Sequence, residues 1–227
     1  GLLLIKKLLL RSFYRVIYKK KNNNNEIKNF KDFNNEVFFG YYDISPFSAN
    51  NKIILSLSLN KNKKDSSIDV GFFNVNNPNI FNKVGISETW CWQQGCMLQW
   101  DPISPQDKFY FNDLVEGKYG AKCFSISENK ITKSFSFPIY AINPNGVNAL
   151  TLNFSRLGRL RPGYGYNLLI DDSKSISAPR KEGLSLINLN TGECTLLVDL
   201  FEMSKSVDSN KNVHHYINHP SFSTKGS

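Results

Sequence analysis

The sequence is poor in the residues that build disulfide scaffolds and metal clusters. Its four cysteines, Cys91, Cys96, Cys123 and Cys194, are scattered through 227 residues, too few and too dispersed for a disulfide framework. Cys91 and Cys96 have no second cysteine pair at ligand spacing, so a structural zinc site is not indicated and buried free thiols are expected. Long apolar runs are also missing. None is longer than Leu2–Ile5, whereas a membrane-spanning helix needs about 20 apolar residues. No small-residue cleavage site follows it, as a secretory signal would require. A cytoplasmic chain, or one resting on a membrane surface, is the expectation. Histidine is scarce and concentrated: His214, His215 and His219 are all there is.

Apolar residues make up 41% of the chain and charged residues 21%, which suits a packed core and excludes wholesale disorder. The net charge of +9 is unevenly spread. Residues 1–21 carry Lys6, Lys7, Arg11, Arg15, Lys19, Lys20 and Lys21 and no acid, leaving the rest of the chain nearly balanced. That argues against nucleic acid as a partner of the body. Leu2, Ile5, Leu9, Phe13, Val16 and Ile17 fall at helical spacing between those cations. Residues 1–21 therefore read as a basic amphipathic helix, lying on an anionic membrane or docked on its own domain. Residues 22–36, opening with Asn22–Asn25, read as a polar linker.

From residue 37 onward one pattern recurs: an odd polar and aromatic loop, a short strand, a Pro/Ser/Asn turn, a second strand. Strands are expected at Phe38–Ile44, Ile53–Leu57, Val70–Val75 and Ile80–Val84, then at Met97–Trp100, Lys108–Phe111, Lys122–Ile126 and Lys130–Phe137. A third set falls at Ile139–Ile142, Ala149–Leu152, Leu184–Leu189 and Thr195–Leu200, the last two joined by a hairpin turn at Thr191-Gly192. Turn signals align at Ser48, Ser104, Asn143 and Ser223, with spacings of 56, 39 and 80 residues. A four-strand repeat near 40 residues is a propeller signature, and the wider spacings contain visible insertions. The fold expected is all-β: a β-propeller of four-stranded antiparallel blades, covering residues 37–227 and following the N-terminal helix. Gly226-Ser227 falls where the second strand of a fourth unit would begin. The expectation is thus about three blades plus one strand, a fragment of a larger propeller. A shorter β sandwich is the alternative.

In such blades the loops before the first strand and those between the second and third share one face. The unusual residues fall there. Tyr41-Tyr42-Asp43, the stretch from Glu88 to Cys96, and His214–His219 precede first strands. Asn112-Asp113 and the run Arg156–Tyr166 follow second strands. Functional residues concentrate on loops held by a rigid scaffold. His215 and His219 are candidate bases or metal ligands, or structural residues, His219 closing a turn before Pro220. Arg156, Arg159 and Arg161 offer forked donors for a carboxylate or sulfate, or line a solvated basic loop. Tyr164 and Tyr166 are candidate acids or sugar-stacking rings, or aromatic plugs. Trp90 and Trp92 suit stacking on sugars, with Gln93 and Gln94 bonding hydroxyls; burial of one of the two tryptophans between blades is the other reading.

The turns SPFSANNK, NPNG and FSTKG resemble the repeats of translocation-protein-B-like and WD40-like propellers. The strings GYYDISPFS, WCWQQGCMLQW, FNDL, LRPGYGY and HHYINHPSFS are similar to a bacterial seven-bladed β-propeller family, itself distantly similar to oligogalacturonate lyases and ulvan-lyase-type enzymes. That resemblance implies a carbohydrate-active propeller that binds or cleaves an acidic polysaccharide, by β-elimination where it cleaves. His215 or His219 would be base or metal ligand, Tyr164 or Tyr166 the acid, and Arg161 the carboxylate clamp. Tyr42, Asp43, Trp92, Gln93, Gln94, Asn112, Asp113 and Arg159 would bind substrate. A divalent metal is compatible with the resemblance, but the lyases' full ligand pattern has no match here. The alternative is a non-catalytic propeller scaffold with a protein partner. A monomer is expected in either case.

Overall fold

The structure, a computed structural model, describes residues 29–32, 35–59, 67–207 and 213–223. The N-terminal helix expected over 1–21 lies outside them. Twelve strands form three four-stranded antiparallel sheets among the described residues, each a simple meander in chain order. The first holds β1 (Glu36–Phe38), β2 (Ile53–Leu59), β3 (Ile68–Asn74) and β4 (Asn77–Ser87). The second holds β5 (Gln99–Trp100), β6 (Lys108–Val115), β7 (Lys118–Ser125) and β8 (Lys130–Phe135). The third holds β9 (Ala141–Ile142), β10 (Asn148–Thr151), β11 (Gly183–Asn188) and β12 (Cys194–Asp199). Two short helices complete the described chain: α1 (Phe154–Leu160) and α2 (Leu200–Ser204). The fold is mostly β, and the described residues form no closed barrel.

Side-chain alternation along β6 explains how the sheets stack. Successive residues of a strand point to opposite faces. Phe109 and Phe111 enter a cluster with Leu55, Leu57, Ile68 and Val70 of the first sheet. Tyr110, between them, packs with Ala149, Ile187 and Leu189 of the third. The middle sheet is buried on both faces, so its central strand reads KFYF with no polar face.

Each sheet turns the same way at one end. Ser48 N donates to Ile53 O at 2.9 Å, Asp101 N to Lys108 O at 2.8 Å, and Asn143 N to Asn148 O at 2.8 Å. The three turns are equivalent, but the residue aligned with Ser48 and Asn143 is Asp101 rather than Ser104. Its carboxylate accepts from the backbone of Ile103 and Ser104 and from the Tyr110 hydroxyl. The expected strand Phe38–Ile44 is also revised. β1 ends at Phe38, and the pairing of the second half of that edge is reduced to a single Phe47–Ile54 bridge. Residues 39–46 are loop. Within the stretch read as linker, the Phe30 ring packs edge-on to Phe73 at 5.5 Å, and Asp32 accepts from Ser58 Oγ.

Phe111 is 1% exposed at the contact of the first two sheets, whereas Leu197 on the outermost strand is 52% exposed. Phe111→Ala is expected to lower unfolding free energy by about 3–5 kcal/mol. Leu197→Ala should stay within about 1 kcal/mol. Denaturant titration of the two variants checks the layer order; equal losses would contradict it.

Candidate functional site

At the other end of the sheets β5 and β9 begin and β6 and β10 finish. An aromatic cluster closes that end: Tyr41, Met97, Tyr119, Tyr140, Leu152, Phe154, Leu157 and Tyr166. The loops singled out in the sequence meet over it.

The segment after β10 forms a helix rather than the loop expected. Asn153 caps α1, its side chain accepting from Arg156 N at 2.9 Å. Two glycines let the following run fold back on the helix. A Cβ on Gly158 would stand 2.7 Å from Tyr166 O, and one on Gly165, where φ is +66°, would stand 2.5 Å from Phe154 O. Tyr166 N donates to Phe154 O, and the two rings stack at 4.5 Å. Arg161, Gly163 and Tyr164 are left at the surface around this fold-back.

Tyr166, expected as an acid or a stacking ring, is buried. Its hydroxyl accepts from Asn112 Nδ2 at 2.9 Å, and burial pushes its phenol far above the ordinary range. Asn112 and Asp113 lie within β6, not in a loop after it. The Asn112 amide also ties β6 to Ile139 through both N–H and C=O, and Asp113 accepts from Glu88 N and pairs with Lys122. Gln94 is buried too: its Oε1 accepts from Gly165 N at 3.2 Å, and its Nε2 donates to the Tyr140 hydroxyl at 2.8 Å. These four side chains brace the end of the sheets and do not face solvent.

The three arginines divide by environment. Arg156 is 1% exposed. Its guanidinium donates to the carbonyls of Ser173, Ile176, Ser177 and His215 and to Ser173 Oγ. It stands 3.7 Å from Asp171, and burial lowers its pKa against the pull of that carboxylate. Arg156 thereby pins residues 173–177 and the His215 backbone to α1. Arg159 is half committed, donating twice to Asp171 Oδ2 at 2.8 and 2.9 Å and approaching His214 Nδ1 at 3.5 Å. Arg161 is exposed, lying 4.6 Å over the Tyr164 ring; Tyr216 and then Tyr164 hold its pKa up.

His219 is the second exposed polar residue of the site. Its backbone takes φ +58° directly before Pro220, a left-handed conformation rare for a side-chain-bearing residue. It is held there from below: His219 N donates to the Tyr140 hydroxyl at 3.0 Å, and its Nδ1 is hydrogen-bonded to the Tyr41 hydroxyl. The Tyr41 and Tyr140 oxygens are 3.0 Å apart. Burial, then hydrogen bonding to Tyr140, pushes the Tyr41 phenol above its ordinary range, and burial raises Tyr140 as well. The Tyr164 ring meets His219 edge-on at 5.8 Å.

Arg161, Tyr164 and His219 thus follow one another across the surface, with Tyr41 and Tyr140 beneath. Tyr42, 80% exposed, continues the row through its ring contact with Tyr41, and Asp43 beside it is exposed. On the far side Gly163 lies against Gln93. There Trp92, 58% exposed and tilted over Phe38 at 5.3 Å, borders a cleft of about 440 Å³ shared with Glu88, Trp90, Cys91, Asn167 and Leu168. Burial raises the Cys91 thiol, which keeps it protonated. His215 does not join this row; its backbone N–H and C=O are bound to Ser177 and Arg156. Tyr140 was not picked out from the sequence; Tyr41 and Arg156 were, as residues of the odd loops, and both are buried. Among the described residues no three His, Cys, Asp or Glu side chains converge as metal ligands, and no helix is long and apolar enough to cross a membrane.

Removing Arg156 would take a shared donor from four carbonyls in a buried site and one of the two cations from beside Asp171. Arg156→Ala is expected to cost about 3–5 kcal/mol and to speed hydrogen exchange across residues 213–219. Burial alone would raise Asp171; hydrogen bonds from Arg159 and Ser173 and the charge of Arg156 outweigh it and lower its pKa. A depressed carboxylate stabilises the fold above the unfolded value of about 4 and loses that contribution as pH falls below it. Asp171→Asn should therefore flatten the acid limb of the stability–pH curve; an unchanged limb would refute the pairing.

No protein-family model matches the chain, and no curated protein is significantly similar to it. Among solved structures it is similar to the AtxE2 isopeptidase in its apo form, with a TM-score of 0.40 and 8% identity over 78% of this chain. The chain spans 32% of that structure's length.

Proposed function

We propose that this chain is part of a β-propeller that binds an acidic glycan on the face formed by Arg161, Tyr164, His219, Tyr42 and Trp92. The propeller reading is supported by three consecutive four-stranded meanders, each stacked on the next and each bringing its odd loops to one end. The observation that carries the functional reading is the row Arg161–Tyr164–His219: a forked cation over a tyrosine ring that also touches a solvent-facing imidazole. An exposed guanidinium matches the two oxygens of a uronate carboxylate. Tyr42 and Trp92 give rings on which pyranose faces can stack, and Gln93 and Asp43 provide hydroxyl partners on either side. The aromatic residues flank the cation rather than cover it, which suits an oligomer laid along the row.

For elimination, a base must take the proton α to the carboxylate that Arg161 neutralises, and an acid must protonate the leaving oxygen. Of the four groups considered from the sequence, Tyr166 is buried against Asn112 and His215 lies off the row. Tyr164 and His219 are the two left. Binding is therefore the expected activity, with cleavage as a measured outcome.

Titration calorimetry of the 227-residue chain with oligogalacturonates and with neutral oligomers of equal length is the direct test. Binding of the acidic oligomers alone is expected, weakened about tenfold or more in Arg161→Ala, a loss of about 1.4 kcal/mol. Ultraviolet absorbance of unsaturated uronate in the same mixtures reports cleavage. No affinity for any uronate or sulfated oligomer, or affinity indifferent to Arg161, would overturn the reading.

A further inference from the structure

The hydroxyl of Tyr140 receives two donors whose direction is fixed. One is the backbone N–H of His219, at 3.0 Å, a donor shared with Asn218 Oδ1, also at 3.0 Å. The other is Gln94 Nε2, at 2.8 Å; the Gln94 amide cannot be turned around, because its oxygen accepts the backbone N–H of Gly165. A phenolic oxygen has two lone pairs and one proton, so these two donors fill it. Its own proton goes to Asn218 Oδ1 at 3.1 Å or to the Tyr41 oxygen at 3.0 Å. In both arrangements Tyr41 finds no free lone pair on Tyr140, and the Tyr41 proton is left one acceptor, Nδ1 of His219. Burial keeps that phenol protonated, so it remains a donor. An imidazole that accepts at Nδ1 carries its ring proton on Nε2 when neutral. His219 is exposed, and no side chain among the described residues takes up its Nε2.

We propose that Tyr41 and Tyr140 are positioning residues that fix His219 in the Nε2–H tautomer, so that His219 meets a ligand carboxylate as a hydrogen-bond donor beside Arg161 and not as a general base. The ligand part of this rests on the acidic-glycan reading; the tautomer does not. The lone pair that a base would need is the one Tyr41 occupies. The left-handed backbone at His219 serves the same end. It brings the N–H and Nδ1 of one residue onto two adjoining buried hydroxyls, which sets the ring's tilt as well as its proton.

Long-range ¹H–¹⁵N correlation spectra of the imidazoles test the assignment in the ligand-free protein, His219 being identified by its loss in His219→Gln. The expected pattern is a protonated Nε2 and an unprotonated, hydrogen-bonded Nδ1. A protonated Nδ1, or a mixture of tautomers, would overturn the proposal whatever the glycan does. Tyr41→Phe should turn the pattern into a tautomer mixture while the His214 and His215 signals stay put; no change there would equally overturn it. Calorimetry then reads the role. His219→Gln, whose side-chain amide offers an N–H near the place of Nε2–H, is expected to keep uronate affinity within about threefold, and His219→Ala to lose about tenfold. Equal losses in both, or unsaturated product that disappears in His219→Gln, would contradict the donor role. If the wild-type chain binds no uronate, the glycan reading falls and the spectra still decide the tautomer.

Discussion

The end of the sheets that carries the site depends on the requirement that a buried hydroxyl be satisfied. Leaving such a group without partners costs about 1–3 kcal/mol, and Tyr140 is 2% exposed. Its oxygen meets Gln94 from the loop before β5, Tyr41 from the loop after β1, and Asn218 and His219 from the C-terminal segment. Three stretches far apart in sequence are thereby drawn to one atom. None of them has regular secondary structure of its own at that point. Their backbone positions follow from polar satisfaction within an aromatic cluster, in which Tyr140, Phe154 and Tyr166 lie ring against ring.

A second buried polar centre does the same for the segment 213–219 from the other side. Arg156 spends its donors on four carbonyls and one hydroxyl, and Asp171 balances it together with Arg159. A buried guanidinium is tolerated when its donors are satisfied and an opposite charge is close. The result is a C-terminal segment without strand or helix that is nonetheless fixed at two places, His215 by its carbonyl and His219 by its N–H. Between these anchors Tyr216 reaches Arg161. The solvent-facing row is therefore the outer surface of two internal polar networks, and its geometry is inherited from them.

Much of the scaffold was legible because it obeys periodic rules. Alternating aromatics in KFYF, the Asn-Pro-Asn-Gly turn and the Thr-Gly hairpin each specify their own local structure, and eleven of the twelve expected strands overlap an observed one by two residues or more. The exception, Phe38–Ile44, has an aromatic composition that suits a strand equally well. There Gly40 adopts φ +108° and sits so close to Gly95 that a Cβ would stand 2.7 Å from its nitrogen, a long-range contact that composition does not encode. The placement of odd loops at one end followed from strand order and did not depend on strand limits, so it survived the revised limits of β1 and β6.

The site itself was only half legible, for a physical reason. Sequence reasoning marks residues by what their side chains are able to do, and in that currency Tyr164, Tyr166, Gln93 and Gln94 are equivalent pairs. Burial separates them. Gln94 and Tyr166 became struts, while Gln93 and Tyr164 stayed at the surface, although each pair is one or two residues apart. Conversely Tyr41 and Tyr140 stood in runs that read as strand, GYYDI and IYAI, with nothing to distinguish a phenol that packs from one that directs a proton. The distinction arises because Gly165 and His219 each present a backbone N–H, a donor that has no alternative role. Backbone donors of fixed sense orient the Gln94 amide and fill the Tyr140 oxygen, and the direction passes through Tyr41 to the imidazole. The chemistry offered at the surface is in this way set by main-chain groups beneath it, which no pattern of side-chain types records.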